Sequence, residues 1–375
     1  MSFTLAIVLG TVICGCLNSL LTKYQDNQCV GHCNNPDVSK HRLYGQPGIQ
    51  TLQMFIGEAA IYIVYYCLYK APWTKRSQYT QIQAQEPSLS QSMVLAIPSV
   101  CDMLATSLMN IGLVYTPVSI YQMTRGAVVL FVAVMSVVFL KRRIRKLEWI
   151  ALFVVTLGIA VVGYSGSSGG SATKEDPRLI VLGMSFIIVA VSLQAVQFVV
   201  EEKILSHYSF TPLKLVYTEG VSGCIILVLS LVLLHFAARA FQTPSEFAHS
   251  KLNLQVALTE TFSSSAILGT SLLVMVCISA FNFCGISLTH HLSATSRSTI
   301  DSCRTLLVWL VAMCLGWESF RVLQFLGFCI LVFGTLCFNG VLQPEEWEWV
   351  PSVLKDKDHS NERLIDVVDE PIERM

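Results

Sequence analysis

Arg297, Asp301 and Arg304, with Ser293 behind them, lie at i, i+4 and i+7 in a stretch that is otherwise apolar from about Leu292 to Leu315. On a helix that spacing puts all three on one face, with the acid between the two bases. A charge costs roughly 2.5–3.5 kcal/mol to insert into hydrocarbon, so such groups persist where they pair, meet water or handle a solute. Two chemistries fit. The guanidinium forks of Arg297 and Arg304, joined by Arg125 and Lys203, match a phosphate or carboxylate. Equally, Asp301 together with Glu58, Asp102 and Glu219 can neutralise those bases as internal pairs.

Other apolar segments carry polar residues at helical spacing: Asp102, Thr106 and Asn110; Gln122 and Arg125; Gln194, Gln197 and Glu201; Ser279 and Asn282. One Gln or Asn in a span commonly glues helices together. Several such stripes point instead to a polar cavity that binds a solute, with Asp102, Gln122, Arg125, Gln197, Asn282, Arg297, Asp301 and Arg304 as contacts. A buried carboxyl inside a span is a candidate carrier of a coupling proton, which singles out Glu58 and Glu219. Glu201-Glu202-Lys203 reads as the solvated cytosolic end of a helix, and His290-His291 as a water-facing pair in a tight turn.

Composition says what must position these groups. The chain is 53% hydrophobic and 13% charged with a mean hydropathy of +0.58, far from the balance of a soluble domain. Lys plus Arg equals Asp plus Glu at 25 each, so no basic excess suggests nucleic acid. Ten segments are long and apolar enough for a bilayer: 3–21, 49–69, 93–114, 117–140, 147–164, 179–200, 212–236, 264–288, 292–315 and 322–342. The first has neither a basic leader nor a small-residue cleavage site and is expected to be a retained span. The cluster Lys141, Arg142, Arg143, Arg145 and Lys146 puts its loop and both termini in the cytosol.

Most cysteines sit inside apolar runs and read as small buried hydrophobes. Cys29 and Cys33 lie in a polar stretch on the opposite side from the termini. Three readings stand there: free thiols in a solvated loop, a local disulfide if the loop faces an oxidising lumen, or part of a metal site with His32 and His41 nearby.

The two halves echo one another. Lys23 and Lys203 close spans one and six, Glu58 and Glu219 lie in spans two and seven, and Leu147-Glu148-Trp149-Ile150 parallels Leu323-Gln324-Phe325-Leu326. Gly158 and Gly163 follow in one half, Gly327 and Gly334 in the other. Five spans per copy invert the second, so the expectation is an all-α membrane protein of two inverted five-helix repeats, 1–164 and 178–342. A linker at 165–177 joins them, and a disordered cytosolic tail, 343–375, follows. Inverted repeats of this kind place a solute site near the midplane between the halves and permit alternating access.

Several strings carry a resemblance: Cys101-Asp102-Met103 with Thr106-Ser107-Leu108-Met109, Tyr121-Gln122-Met123 with Arg125-Gly126-Ala127-Val128, Glu201-Glu202-Lys203, Thr218-Glu219-Gly220, Leu292-Ser293-Ala294-Thr295, Asp301-Ser302 with Arg304-Thr305, and Leu315-Gly316-Trp317-Glu318. They resemble the drug/metabolite transporter superfamily and, within it, subfamily F of the nucleotide-sugar-transporter-like solute carrier family 35. That subfamily includes an adenine nucleotide translocator-binding protein. The resemblance implies a multi-pass endomembrane carrier of a small polar or anionic metabolite, working by exchange or proton coupling and needing no cofactor. Lysosomal residence is the expectation, with Golgi or mitochondrial membranes as alternatives. Leu364 and Ile365 resemble a dileucine sorting signal that has Ser360 where an acid is usual. No phosphate-binding loop of the kind used by ATP-driven pumps occurs, and no catalytic constellation marks an enzyme. The competing function is an adaptor that binds another membrane protein.

Overall fold

The computed structural model describes residues 2–31, 33, 41–70, 89–116, 121, 124–140, 145–168, 177–207, 211–243, 247, 250, 252–316, 320, 322–338, 342–344, 347, 350 and 351. Its helices are α1 Ser2–Asp26, α2 Pro47–Tyr65 with a π turn at Tyr66–Lys70, α3 Leu89–Tyr115, α4 Val128–Leu140, α5 Lys146–Ser168, α6 Pro177–His207, α7 Pro212–Phe241, α8 Leu254–Ser263, α9 Ser265–His291, α10 Ala294–Cys314 and α11 Val322–Phe338. Each of the ten apolar segments overlaps one of them. Five of the described helices are long and apolar enough to cross a membrane. Large side chains such as Phe153 and Leu233, each 69% exposed, point outward; in hydrocarbon, unlike water, that carries no penalty.

Two compact units divide the chain. One comprises Met1–Val12, Leu104–His207 and Ser287–Met375, the other Ile13–Met103 and Tyr208–Ile286. In the first, α5 lies along α11. A Cβ added at Gly158 would sit 2.7 Å from the Leu331 backbone nitrogen and 2.9 Å from the Gly327 carbonyl, so this contact is backbone on backbone. Helix α4 is apolar on every side; it buries the face of Val128, Val129, Val132, Ala133 and Ser136 and leaves Val138 and Phe139 exposed. Val129, Val132 and Ala133 pack on Ile187, Ala190 and Val191 of α6, and the one polar residue, Ser136, sits 3.5 Å from the hydroxyl of Thr295 on α10.

In the second unit α2 lies along α7, and a Cβ on Gly220 would come within 2.6 Å of the Glu58 carbonyl carbon. Thr211 caps α7 by accepting from the Lys214 N–H at 3.3 Å, with Pro212 in the first helical position. The polar stretch after α1 forms a short antiparallel ribbon, β1 Cys29–Gly31 on β2 Arg42–Leu43, and Cys29 is bonded to Cys33. A disulfide therefore replaces the free thiols and the metal site as the reading of that pair.

Helix α8 has no counterpart among the ten apolar segments, because Thr259, Glu260 and Thr261 interrupt its apolar residues. The Nδ1 of His235 receives the Leu254 N–H at 3.1 Å, tying the start of α8 to α7. The histidine pair also differs from expectation. His290 and His291 form the last turn of α9, not a free turn, and the connection to α10 is only Leu292-Ser293.

Candidate functional site

The first unit gathers charge where α6 meets α10. Ser293 stands in extended backbone ahead of α10, and its hydroxyl accepts from the Ser296 N–H at 3.1 Å. The opening turns of α10 are rich in hydroxyls yet buried, which works because each is answered locally. Ser298 and Thr299 both donate to the Thr295 carbonyl at 2.8 Å.

Arg297 is buried among these residues. Its Nη1 donates to Glu201 Oε2, and its guanidinium lies 4.1 Å from the centroid of Phe198. The other oxygen of Glu201 accepts from Gln197 Nε2 at 2.9 Å. Next along α6, Glu202 Oε2 accepts the N–H of Ala294, the first residue of α10, at 2.8 Å. Two turns beyond Arg297, Arg304 Nη2 holds Asp301 Oδ1 at 2.9 Å with both side chains nearly sealed from solvent. Breaking such a pair by removing one member costs about 3–5 kcal/mol, because the survivor keeps its burial.

Two readings of the sequence change here. Asp301 serves Arg304 and not both arginines, since Arg297 turns to a neighbouring helix for its anion. Glu201 is no solvated helix end: α6 continues to His207, and Glu201 is 0% exposed. Lys203, two residues on, is exposed and fits the original reading.

The second unit positions its carboxylates differently. Glu58 of α2 and Glu219 of α7 are both buried, and the close α2–α7 approach brings Glu58 against Gly220. Asn282 Nδ2 of α9 donates to Glu58 Oε1. The Ser99 hydroxyl donates to the Glu219 carbonyl at 3.0 Å and meets Ser222 Oγ at 2.7 Å.

A chain of amides also lies here that the sequence reading missed. Gln50 donates to Asp26 at 2.6 Å and to Gln25 at 3.3 Å, and Gln25 donates to Ser271 at 2.8 Å. Gln46 donates to Glu260 at 2.9 Å, and Arg42 pairs with the other oxygen of Glu260. The available signal was Gln46, Gln50 and Gln53 at i, i+4 and i+7, a polar stripe leading along α2 toward Glu58. Close by, Tyr44 meets Thr261 Oγ1 at 2.9 Å; burial pushes its phenol up, against the opposing effect of the Thr261 hydrogen bond.

Asp102 is half-buried on α3 in the second unit, and Arg125 half-buried just ahead of α4 in the first. Gln122, Leu364 and Ile365 lie outside the described residues. Among the described residues no group of three or more His, Cys, Asp or Glu side chains is placed to hold a metal ion.

Buried ion pairs on helices whose apolar side chains face outward fit a membrane protein with a polar interior. The family model for nucleotide-sugar transporters matches residues 49–315. This chain belongs to that family. Solute carrier family 35 member F6 of Pongo abelii and of Homo sapiens are each 33% identical to it over 341 residues, covering 89% of this chain and 88% of theirs. A protein of Schizosaccharomyces pombe is 34% identical over 330 residues, 88% of this chain and 95% of its own length. A Caenorhabditis elegans UDP-N-acetylglucosamine/UDP-N-acetylgalactosamine transporter is 27% identical over 129 residues, 33% of this chain and 38% of its own. In fold alone, a protein of known crystal structure matches 90% of this chain and 96% of its own, with a TM-score of 0.59 at 11% identity. Family membership makes the chain a transporter of small solutes in a lipid bilayer, a multi-pass endomembrane protein and not an enzyme. It favours the carrier over the adaptor.

Proposed function

We propose that this transporter moves a small polar or anionic solute by alternating access of two inverted five-helix repeats, 1–164 and 178–342, as an exchanger or a proton-coupled carrier. The observation that carries the reading is the Glu201–Arg297 pair with Gln197 and Phe198 around it, ionic chemistry kept inside an otherwise apolar body. Support for the repeat comes from its expected mates, which pack as pairs: α2 on α7 in one unit, α5 on α11 in the other.

Arg125, Gln197, Arg297, Asp301 and Arg304, with Gln122, are the proposed solute contacts of the first unit. Asp102 and Asn282 are those of the second, where Glu58 and Glu219 carry the coupling proton. An amide suits that role, because Asn282 can donate to the Glu58 carboxyl in either protonation state. Nucleotides and nucleotide sugars are the first solutes to test, since the nematode relative is a UDP-N-acetylglucosamine/UDP-N-acetylgalactosamine transporter. The proposed address is the lysosomal membrane, with both termini cytosolic and Leu364 and Ile365 as the sorting signal.

Purified protein in liposomes should take up or exchange at least one member of a labelled panel of nucleotide sugars, nucleotides and organic anions. Uptake no faster than in empty liposomes across the panel would overturn the carrier chemistry proposed here. The proton assignment fails separately, if Glu58→Gln and Glu219→Gln both keep uptake driven by a pH gradient.

A further inference from the structure

Glu201 and Glu202 are adjacent on α6, so their side chains leave that helix about 100° apart. Both nevertheless end on the opening of α10, at the two groups there that receive anions. Glu202 takes the backbone N–H of Ala294 at 2.8 Å, at the positive end of the helix dipole. Glu201 takes the guanidinium of Arg297, one turn on.

The bonding leaves unused capacity beside Glu201. Arg297 is 2% exposed and its Nε has no hydrogen-bond partner among the described residues; Gln197 is 7% exposed and its Oε1 has none either. A purely structural clasp would be expected to answer these buried atoms. A buried donor and acceptor left over around a carboxylate instead suit a site whose occupant changes.

We infer that Arg297 and the first turn of α10 form an oxyanion subsite, occupied at rest by the chain's own Glu201 and Glu202, which a carboxylate or phosphate group of the solute displaces. This deepens the carrier reading and rests on it. An added anion beside two seated carboxylates would be repelled, so entry requires exchange: solute oxygens for protein oxygens at Arg297 and at the Ala294 N–H. The released carboxylates uncouple α6 from α10. When the solute leaves they return, so the empty site does not stay charged and open.

Full-length protein in phosphatidylcholine nanodiscs, titrated with sodium pyrophosphate and sodium malonate, tests the inference. Glu201→Gln/Glu202→Gln keeps the shape and removes the competing charge. It should bind one of these anions ~10-fold more tightly than the natural chain, and adding Arg297→Gln should abolish the gain. Binding by a folded double variant that is unchanged or weaker overturns the inference. Should that variant not fold, Glu202→Gln alone, which leaves the Arg297–Glu201 pair intact, must show a smaller gain of the same sign. A parallel set in phosphatidic acid nanodiscs separates sources: stabilisation dependent on Arg297 that appears only there assigns the subsite to a lipid headgroup and overturns the solute. The two readings fail apart. Solute uptake that survives Arg297→Gln sinks the subsite and spares the carrier, whereas tightened anion binding without any uptake does the reverse.

Discussion

Glu201 and Asp301 in the first unit and Glu58 in the second are buried about equally deeply and answered with different chemistry. In the first, Glu201 and Asp301 face guanidinium groups. In the second, Glu58 receives the neutral amide of Asn282, and a ladder of glutamines leads away from it. A guanidinium stays charged, whereas an amide is neutral and can donate to a carboxyl in either protonation state. The contrast is one of charge: a fixed cation beside the carboxylates of the first unit, a neutral amide beside Glu58 in the second.

The largest way to break the contrast is Arg297→Ala. Glu201 would be left buried without its cation, and we expect a loss of about 3–5 kcal/mol, read as a lowered unfolding temperature in detergent. Glu201→Gln on that background should recover much of it, and a loss that is additive in the double variant would mean the pair is not coupled. Next come the close helix contacts of each unit. Gly220→Ala in one unit and Gly158→Ala in the other should each cost about 1–3 kcal/mol through overpacking. Gly269→Ala, with nothing within 4 Å of its new Cβ, should be neutral or gain up to about 1 kcal/mol.

Asn282→Ala sharpens the comparison from the second unit. Loss of one donor to a buried carboxyl should lower stability by about 1–3 kcal/mol, less than Arg297→Ala does. A larger effect than that of Arg297→Ala would break the contrast between a charged and a neutral partner. Smallest is Arg42→Ala. The Arg42 side chain is 50% exposed, so its bond to Glu260 is screened and worth about 1 kcal/mol or less. Faster amide exchange in the Arg42–Gln46 segment, with the rest of the chain unmoved, is the expected readout.

Helices were legible where apolar residues dominate a long run, as in Pro212–Phe241, and illegible where the run is short, as in the 10 residues of Leu254–Ser263. Helix α8 escaped because Thr259, Glu260 and Thr261 break its pattern, and its place depends on the His235 contact to its first residue. Segment 117–140 was expected to be one helix; α4 covers Val128–Leu140 of it. Of the candidate site, the residues were legible and the partnerships were not. Arg304 and Asp301 pair as their spacing proposed, being three apart on one helix. Arg297 instead chose Glu201, 96 positions away, and Glu201 had been read as solvated because two acids and a lysine at the end of an apolar run usually are.

From residues alone came the membrane class, the candidate helices and the faces on which their charges lie. Those follow from hydrophobic run length and helical period, which are properties of one segment at a time. Only the tertiary structure decided which helix stands opposite each face. That choice gave Arg297 a carboxylate and Glu58 an amide. Periodicity says which side chains share a face, but a pairing needs two faces brought within about 3 Å, and packing between distant segments alone sets that distance.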